Sequence, residues 1–240
     1  MILYPKIRRS DFGWFVAPGY QFVYNINNNA NIYHQYDYGF RLPSFYEMYA
    51  DDYLYNGNKN LNGESINSYE YGMQLYGSAM MLTIAQFYKN NQNVIDWYPS
   101  GSGITKWNST NVADVLTSGH NVRIEVYPEI ISLLSFIDRL ELGYAFMNIE
   151  HNGKNNDYKN LSHYLKHQMT YGIQYNLPFG FSRSWHIRYE QPAAFDNRTI
   201  VDTQIHHQIW RVESTLNISN VFDVQYKDIE DVTLPGRWFK

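Results

Sequence analysis

The side chains able to do chemistry are histidines and carboxylates, because the chain has no cysteine and therefore no thiolate nucleophile, thiolate metal site or disulfide. Among eight histidines, the pairs His206–His207 and His163/His167 invite a metal reading. Adjacent His206 and His207 would point to opposite faces of a strand and cannot easily share an ion. His163 and His167 would share a face but stand about 13 Å apart along an extended chain, too far for joint ligation. Both pairs read as solvated or interfacial. Glu47, Asp51 and Asp52 could offer oxygens to a hard cation, yet no calcium-loop spacing surrounds them, and solvated loop carboxylates are the favoured reading. With 23 Asp and Glu in all, paired acids are easy to propose, but no Ser-His-Asp arrangement or helix-borne metal motif occurs. The sequence thus offers no catalytic residue, no metal site and no cofactor site, and an enzyme is not expected.

The aromatic residues are more suggestive. The stretch from Arg41 to Asn67 gathers Phe45, Tyr46, Tyr49, Tyr53 and Tyr55 among Asn and Asp, a mixture able to stack on and hydrogen-bond to a large ligand. Trp97, Tyr98 and Trp107 form a second aromatic cluster. Together with Arg41, these residues are the candidate ligand-facing loop positions. The blander reading is that the same rings pack the loops together or form an interfacial girdle.

Positioning such loops requires an architecture, and the period along the chain is two. Tyr20, Phe22 and Tyr24 alternate with Gln21, Val23 and Asn25, the pattern of a strand between unlike environments. The same division returns at Tyr69, Tyr71, Met73 and Leu75, at Leu140, Leu142, Tyr144 and Phe146, at Met169, Tyr171, Ile173 and Tyr175, and at Phe181, Trp185, Ile187 and Tyr189. One face is repeatedly Tyr, Trp and Phe, with rings toward strand ends such as Tyr24, Tyr127 and Tyr175, which suits a lipid interface. The other holds charged, amide and small side chains, which a watery or plugged lumen tolerates. Several segments reach the roughly 9 to 11 tilted residues that cross a hydrocarbon layer. Short links at Asn27 to Asn29, Gly77 to Ala79, Leu177 to Gly180 and near Arg211 alternate with long polar ones at Arg41 to Asn67, Lys89 to Lys106 and Glu150 to Asn160. That asymmetry of short periplasmic turns and long external loops marks an antiparallel transmembrane β-barrel. About ten to eleven strands are expected.

Composition bounds the alternatives. The 240 residues suffice for one large domain or part of one, and 18% aromatic content with 8 Pro and 15 Gly excludes disorder. A net charge of -4 with scattered Lys and Arg leaves no basic surface for nucleic acid. Mean hydropathy is -0.49, as expected when only alternate strand residues meet lipid. No run approaches the roughly 18 apolar residues of a spanning helix. Residues Met1 to Ser10 hold no apolar segment before Arg8 and Arg9, so they do not form a signal peptide.

At Arg41-Leu42-Pro43-Ser44-Phe45-Tyr46-Glu47-Met48-Tyr49 the chain resembles a segment that follows a barrel strand in TonB-dependent receptors. Asn56-Gly57-Asn58 with Leu61, then Ser68-Tyr69-Glu70-Tyr71-Gly72, follow in the same order as in that family. Phe87-Tyr88 with Val94-Ile95-Asp96-Trp97 resembles a further strand end and loop. The closest match is Asn220-Val221-Phe222-Asp223 with Tyr226, then Leu234-Pro235-Gly236-Arg237-Trp238-Phe239, similar to the family's closing strands. Where the family has Gly-Val-Glu, this chain has Gly119-His120-Asn121, although Glu125 lies on the same face by parity. The resemblance implies that residues 1–240 are a partial barrel domain, about the last half of a 22-stranded barrel, with plug domain, N-terminal strands and the end of the last strand absent. It also implies residence in the outer membrane of a Gram-negative bacterium, in contact with its lipid. A plug domain of the same receptor and, through it, TonB are the implied partners. The implied ligand is a scarce, bulky nutrient such as siderophore-bound iron, haem or cobalamin. The rivals are a passive porin or adhesin barrel, and a soluble all-β binding module whose aromatic face is an inter-sheet core.

Overall fold

The computed structural model describes residues 2–3, 6–10, 13–99, 106–112, 114–128, 134–151, 164–229 and 232–240. Ten long strands follow one another in chain order: β1 (Gly19–Asn27), β2 (Ala30–Arg41), β3 (Glu64–Tyr76), β4 (Met80–Gln92), β5 (Val115–Val126), β6 (Ile137–His151), β7 (Leu165–Leu177), β8 (Phe181–Pro192), β9 (Arg198–Ile209) and β10 (Val212–Ser219). Each pairs antiparallel with its sequence neighbours in one 12-stranded sheet, bounded by the two-residue strands Ile2–Leu3 and Trp238–Phe239. Consecutive long strands are neighbours throughout the sheet, the up-and-down order of a barrel wall.

The register shows that the strands are tilted. One ladder row runs Ala30, Leu75, Leu82, Ile124, Leu142, Tyr171, Ile187, Val201. It begins at the first residue of β2 and ends eight residues short of Ile209, the last residue of β9 at the same end of the sheet (209 minus 201). With the turn ends level, a slip of eight residues over seven strand steps corresponds to a tilt of about 40°, from rises of about 3.4 Å and spacings of about 4.8 Å. That is the inclination of barrel strands.

Parity then separates the side chains into two faces. The outward face carries that aliphatic row together with Phe22, Met73, Ile84, Val122 and Met169. Phe22, Leu142 and Met169 remain 47%, 49% and 53% exposed, and no second sheet packs on them among the described residues. A soluble sandwich would cover this surface, so the aromatic face is not an inter-sheet core. Toward the loop end the outward rings form a continuous belt: His34 lies 4.5 Å from Tyr71 and 5.4 Å from Tyr20, and Tyr36 lies 5.0 Å from Tyr69. Tyr24 also faces outward. Tyr127 does not: it shares the parity of Glu125, and its hydroxyl donates to Glu125 Oε2 at 2.8 Å, so it belongs to the inward face rather than the interfacial ring.

Strands reach further than the alternation of apolar residues suggests. β3 begins at Glu64 and β4 continues to Gln92, inside the stretches expected as loops. The ladder persists where both faces are wet, and there the two-fold hydropathy signal vanishes while the hydrogen bonds do not. Most of the expected loop from Glu150 to Asn160 lies outside the described residues.

Gly72 shows how the inward face is packed. Tyr33 sits directly opposite on β2, its ring lies over the glycine, and its hydroxyl donates to Glu70 Oε1 at 2.8 Å. A Cβ on Gly72 would fall inside the Tyr33 ring. This accounts for the Tyr69-Glu70-Tyr71-Gly72 run: alternate members supply the acceptor and the space for one tyrosine from the neighbouring strand. Gly72→Val is expected to displace Tyr33 and destabilise the sheet by about 1–3 kcal/mol. The folded band in heat-modified electrophoresis should then be lost at a lower temperature, and an unchanged midpoint would contradict this packing.

Candidate functional site

The long loops gather at one end of the sheet, and the two described best form a single unit. After β2, Ser44 caps the short helix α1 (Phe45–Tyr49) through a reciprocal capping box with Glu47. The short strand Tyr55–Asn56 runs parallel to Trp107–Asn111, which pairs antiparallel with Ile95–Pro99, so residues from both loops make one three-stranded sheet. Arg41, at the top of β2, ties the unit to the wall. Its guanidinium bridges Glu47 of α1 at 2.8 Å and Glu64, the first residue of β3, at 2.6 Å, while Glu64 Oε1 also accepts Ile95 N at 2.6 Å.

Between helix and sheet, Tyr55 packs edge to face with both Tyr46 and Trp97, and Tyr46 is tilted against Trp97, with centroids 4.9 to 5.7 Å apart. Trp97 is buried. Beneath them Ser109 Oγ donates to Glu47 O at 2.6 Å. The Tyr46 hydroxyl donates to Asp52 Oδ2 at 2.8 Å, and Asp52 also accepts from the backbones of Tyr55 and Leu54. These bonds hold the Asp52 carboxyl below the usual range and push the Tyr46 phenol up to about 12. Burial works against ionisation of Glu47, but its bonds to Arg41 and Ser44 outweigh it, and the carboxyl is held below its ordinary value.

The nine aromatic and basic positions singled out by sequence therefore fall into groups. Tyr55 and Trp97 form the small packed centre joining the loops, Tyr46 packs on both while remaining 49% exposed, and Arg41 is the tie to the wall. Tyr98 and Trp107 sit in the small sheet, where Trp107 N donates to Leu54 O at 2.8 Å. Phe45, Tyr49 and Tyr53 present their rings to solvent, at 79%, 46% and 87% exposure. Beside them a polar cavity of about 670 Å³ is lined by Tyr49, Asp51, Asn56, Asn58, Lys59 and Asn108, among others.

The histidine and carboxylate candidates are dispersed. His206 and His207 point to opposite faces, one toward Thr215 Oγ1 at 3.2 Å and the other stacked on Phe181 at 3.7 Å. His167 meets the Tyr144 hydroxyl at 2.9 Å on the outward face, and His163 lies outside the described residues. Asp51 pairs with Lys106 at 3.3 Å. Among the described residues no three His, Asp or Glu side chains are grouped to hold an ion.

The inward face carries two ionic networks. Arg123 bridges Glu125 at 2.9 Å and Glu141 at 3.0 Å across β5 and β6, and Arg139 joins Glu141 and, at 3.9 Å, Glu125. Nearer the loops Arg198 binds Glu190 at 2.6 Å, Asp228 and the Lys227 carbonyl, and lies 4.4 Å from the Tyr226 ring. Glu125 is legible from parity alone; its partners require the strand register.

Arg198 thereby fastens the segment after β10, whose start is a backbone device. Asn220 and Asp223 have positive φ (51° and 56°). Asn220 exchanges side-chain bonds with Val224 at 2.9 Å, and Asp223 Oδ1 accepts Arg237 N at 2.7 Å. A Cβ on Gly236 would strike that carboxylate, which is why glycine follows proline there.

An antiparallel, tilted meander that is apolar outside, ion-paired inside and elaborated by loops at one end is the wall of a transmembrane β-barrel. A model of the family described as TonB dependent receptor-like, beta-barrel matches residues 5–227, and the chain belongs to that family. Receptors of this family are outer-membrane transport proteins of Gram-negative bacteria rather than enzymes. No curated protein matches the chain. Among solved structures it is similar to the copper transporter OprC (13% identity, TM-score 0.73, 94% of this chain and 39% of that one). It is also similar to two Pseudomonas aeruginosa proteins. One is the siderophore receptor PirA (16%, 0.70, 99% and 41%), and the other a mutant of the ferric enterobactin receptor PfeA (15%, 0.73, 99% and 41%). The chain thus spans about two fifths of the length of these structures.

Arg41→Gln would leave Glu47 and Glu64 facing each other without their cation. Because the Arg41 side chain is 45% exposed, screening holds the expected cost to about 1 kcal/mol. The Glu47 carboxylate, with its lowered pKa, stabilises the loop fully above its unfolded value of about 4.3, and that contribution is lost as pH falls through the lower folded value. Hydrogen exchange of peptides covering residues 44–58, corrected for intrinsic rates, should rise in acid for the native protein and already at neutral pH for Arg41→Gln. Identical exchange in both proteins at neutral pH would remove Arg41 from this role.

Proposed function

We propose that residues 1–240 form a partial barrel domain of a Gram-negative outer-membrane receptor that imports a scarce, bulky nutrient with energy delivered through TonB. The observation that carries the reading is the sidedness of the wall. Its outward face is exposed and apolar, its inward face is lined by the Arg123/Glu125/Arg139/Glu141 network, and its loops form an ordered, solvent-facing unit. On this reading a plug domain meets the inward charges and couples to TonB, lipid covers the outward face, and the ligand is of the siderophore-iron, haem or cobalamin class. The names of the structures it resembles, a siderophore receptor, a ferric enterobactin receptor and a copper transporter, support metal-nutrient uptake as the first class to test.

Within the loops, Phe45, Tyr49 and Tyr53 are the residues that contact ligand, because Tyr55 and Trp97 are committed to packing and Tyr46, though half exposed, is held by both of them and by Asp52. Cells carrying the receptor should grow on one member of a panel of ferric siderophores, haem and cobalamin when that nutrient is limiting, and deletion of TonB should abolish that growth. Uptake that persists without TonB would instead support the passive pore. For the nutrient so identified, combined alanine replacement of Phe45, Tyr49 and Tyr53 should weaken binding by about tenfold or more, at roughly 0.5–1.5 kcal/mol per lost ring contact. Unaltered affinity would place the ligand elsewhere.

A further inference from the structure

The outward face changes character at the turn end of β7 to β10. There the outward rows mix Tyr175 and Leu177 on β7, Phe181, Arg183 and Trp185 on β8, and His207 on β9 with the aliphatic Ile205, Ile209 and Val212, and the turns beyond carry Phe179, Trp210 and Arg211. The Arg183 guanidinium lies 4.3 Å from the Trp185 ring centroid and that of Arg211 5.6 Å from Trp210, while His207 stacks flat on Phe181 with centroids 3.7 Å apart. Among described residues, none of the outward positions of these four strands is acidic. Glu213 is paired with inward Gln208, and Asp138 accepts from Gln174 and Asn176 on the inward side. The corner therefore adds cations and aromatic rings to its aliphatic side chains, without an outward countercharge among the described residues.

Two adjacent turns add a backbone observation. Phe179 and Trp210 both have positive φ (66° and 56°), a conformation that bulky residues avoid unless surroundings impose it. Both rings are almost wholly exposed, at 90% and 87%. The first turn also rests on β9, where His207 Nε2 lies 3.2 Å from the Phe179 carbonyl. Large rings held out from the ends of hairpins, beside stacked guanidinium groups, make the boundary layer of a membrane surface, apolar toward the chains and cationic toward the headgroups.

We propose that this rim, built by Arg183, Trp185, His207, Trp210 and Arg211, is a binding site for the phosphate headgroup of an anionic glycerophospholipid in the leaflet at the turn end. Arg183 is only the third residue of β8, near enough to the rim for its charged end to meet a phosphate while its stem and Trp185 lie against acyl chain. Charge complementarity selects the lipid. A zwitterionic headgroup would bring an ammonium to a corner that has no outward carboxylate to receive it, whereas an anionic headgroup adds no such cation. The inference rests on the membrane reading of the outward face and adds a ligand to it.

The test uses the receptor purified from outer membranes in mild detergent, with phospholipid retained per protein quantified by mass spectrometry. Anionic phospholipid should be enriched over its share of the source membrane. In Arg183→Gln/Arg211→Gln that enrichment should fall several-fold, whereas Arg183→Lys/Arg211→Lys should keep most of it. Enrichment that survives the glutamine pair, or is lacking in the native protein, overturns the site. Heat-modified mobility of each sample reports insertion and folding separately, so a failure of the membrane reading is distinguishable from a failure of lipid selection. If the glutamine pair does not fold, the native protein answers alone in zwitterionic nanodiscs doped with a minor fraction of brominated lipid. Tryptophan emission should be quenched more by anionic than by zwitterionic brominated lipid, and equal quenching refutes the proposal.

Discussion

Every property of this wall depends on one constraint: in hydrocarbon a backbone N–H or C=O without a partner costs several kcal/mol, so the strands must be paired along their whole length and in one register. Register in turn assigns every side chain to a face. A slip of one residue would carry Arg123, Glu125, Arg139 and Glu141 outward and bring Ile124 and Leu142 inside. An arginine on the lipid face costs about 2–4 kcal/mol at the middle of the layer and about 0–1 kcal/mol near its edge, where Arg123 and Arg139 stand, the carboxylates somewhat less, and the slip would move all four together. The ion pairs across β5 and β6 thus matter less for their own attraction than for the alternatives they forbid. Sidedness is secured by what charge cannot do in lipid.

The loop unit borrows its order from the same ladder. A helix as short as α1 is unstable alone, and neither the capping box nor the ring cluster would fix its direction. What fixes it is Arg41, which stands where β2 ends and grips Glu64 where β3 begins. Their positions follow from the last rung of the wall. Glu47 and Ile95, from two separate loops, close on that pair. The exposed rings of Phe45, Tyr49 and Tyr53 are therefore displayed from a frame whose geometry is set below them.

The two-fold period, the strand number and the short turns were legible in the sequence because each long strand repeats one environment on alternate residues. Strand ends were not: Glu64 to Asn67 and Asn90 to Gln92 remain in the ladder, but both faces there are polar and composition carries no sign of pairing. Nor did the sequence divide the loop aromatics into packed and displayed rings. Contact between Tyr55 and Trp97 depends on a parallel bridge between Tyr55 and Trp107, and short stretches of one or two pairs leave no periodicity. Tyr127 was misassigned for a related reason. It follows the end of β5, where a ring at the strand end looks interfacial until the parity it shares with Glu125 is followed. The Asn220 and Asp223 motif was recognisable as family wording, while its cause, two left-handed backbone positions locked by side-chain bonds, became apparent only from the angles.

These points explain how the chain keeps its fold at 13–16% identity to the structures it resembles, with TM-scores of 0.70 to 0.73. Lipid asks only that outward positions be apolar or interfacial, and many side chains satisfy that. The inward face asks that charges be paired and space be filled, as Tyr33 fills the space over Gly72, and again many combinations serve. Narrower requirements arise where one side chain or backbone position fixes the next: the turn at Asn220, the close approach at Gly236, the cap at Ser44 and the space at Gly72. Each of those places lies within the family wording of the sequence. A mean hydropathy of -0.49 is then no argument against a membrane wall, because it averages over two faces and a set of loops that obey different solvents.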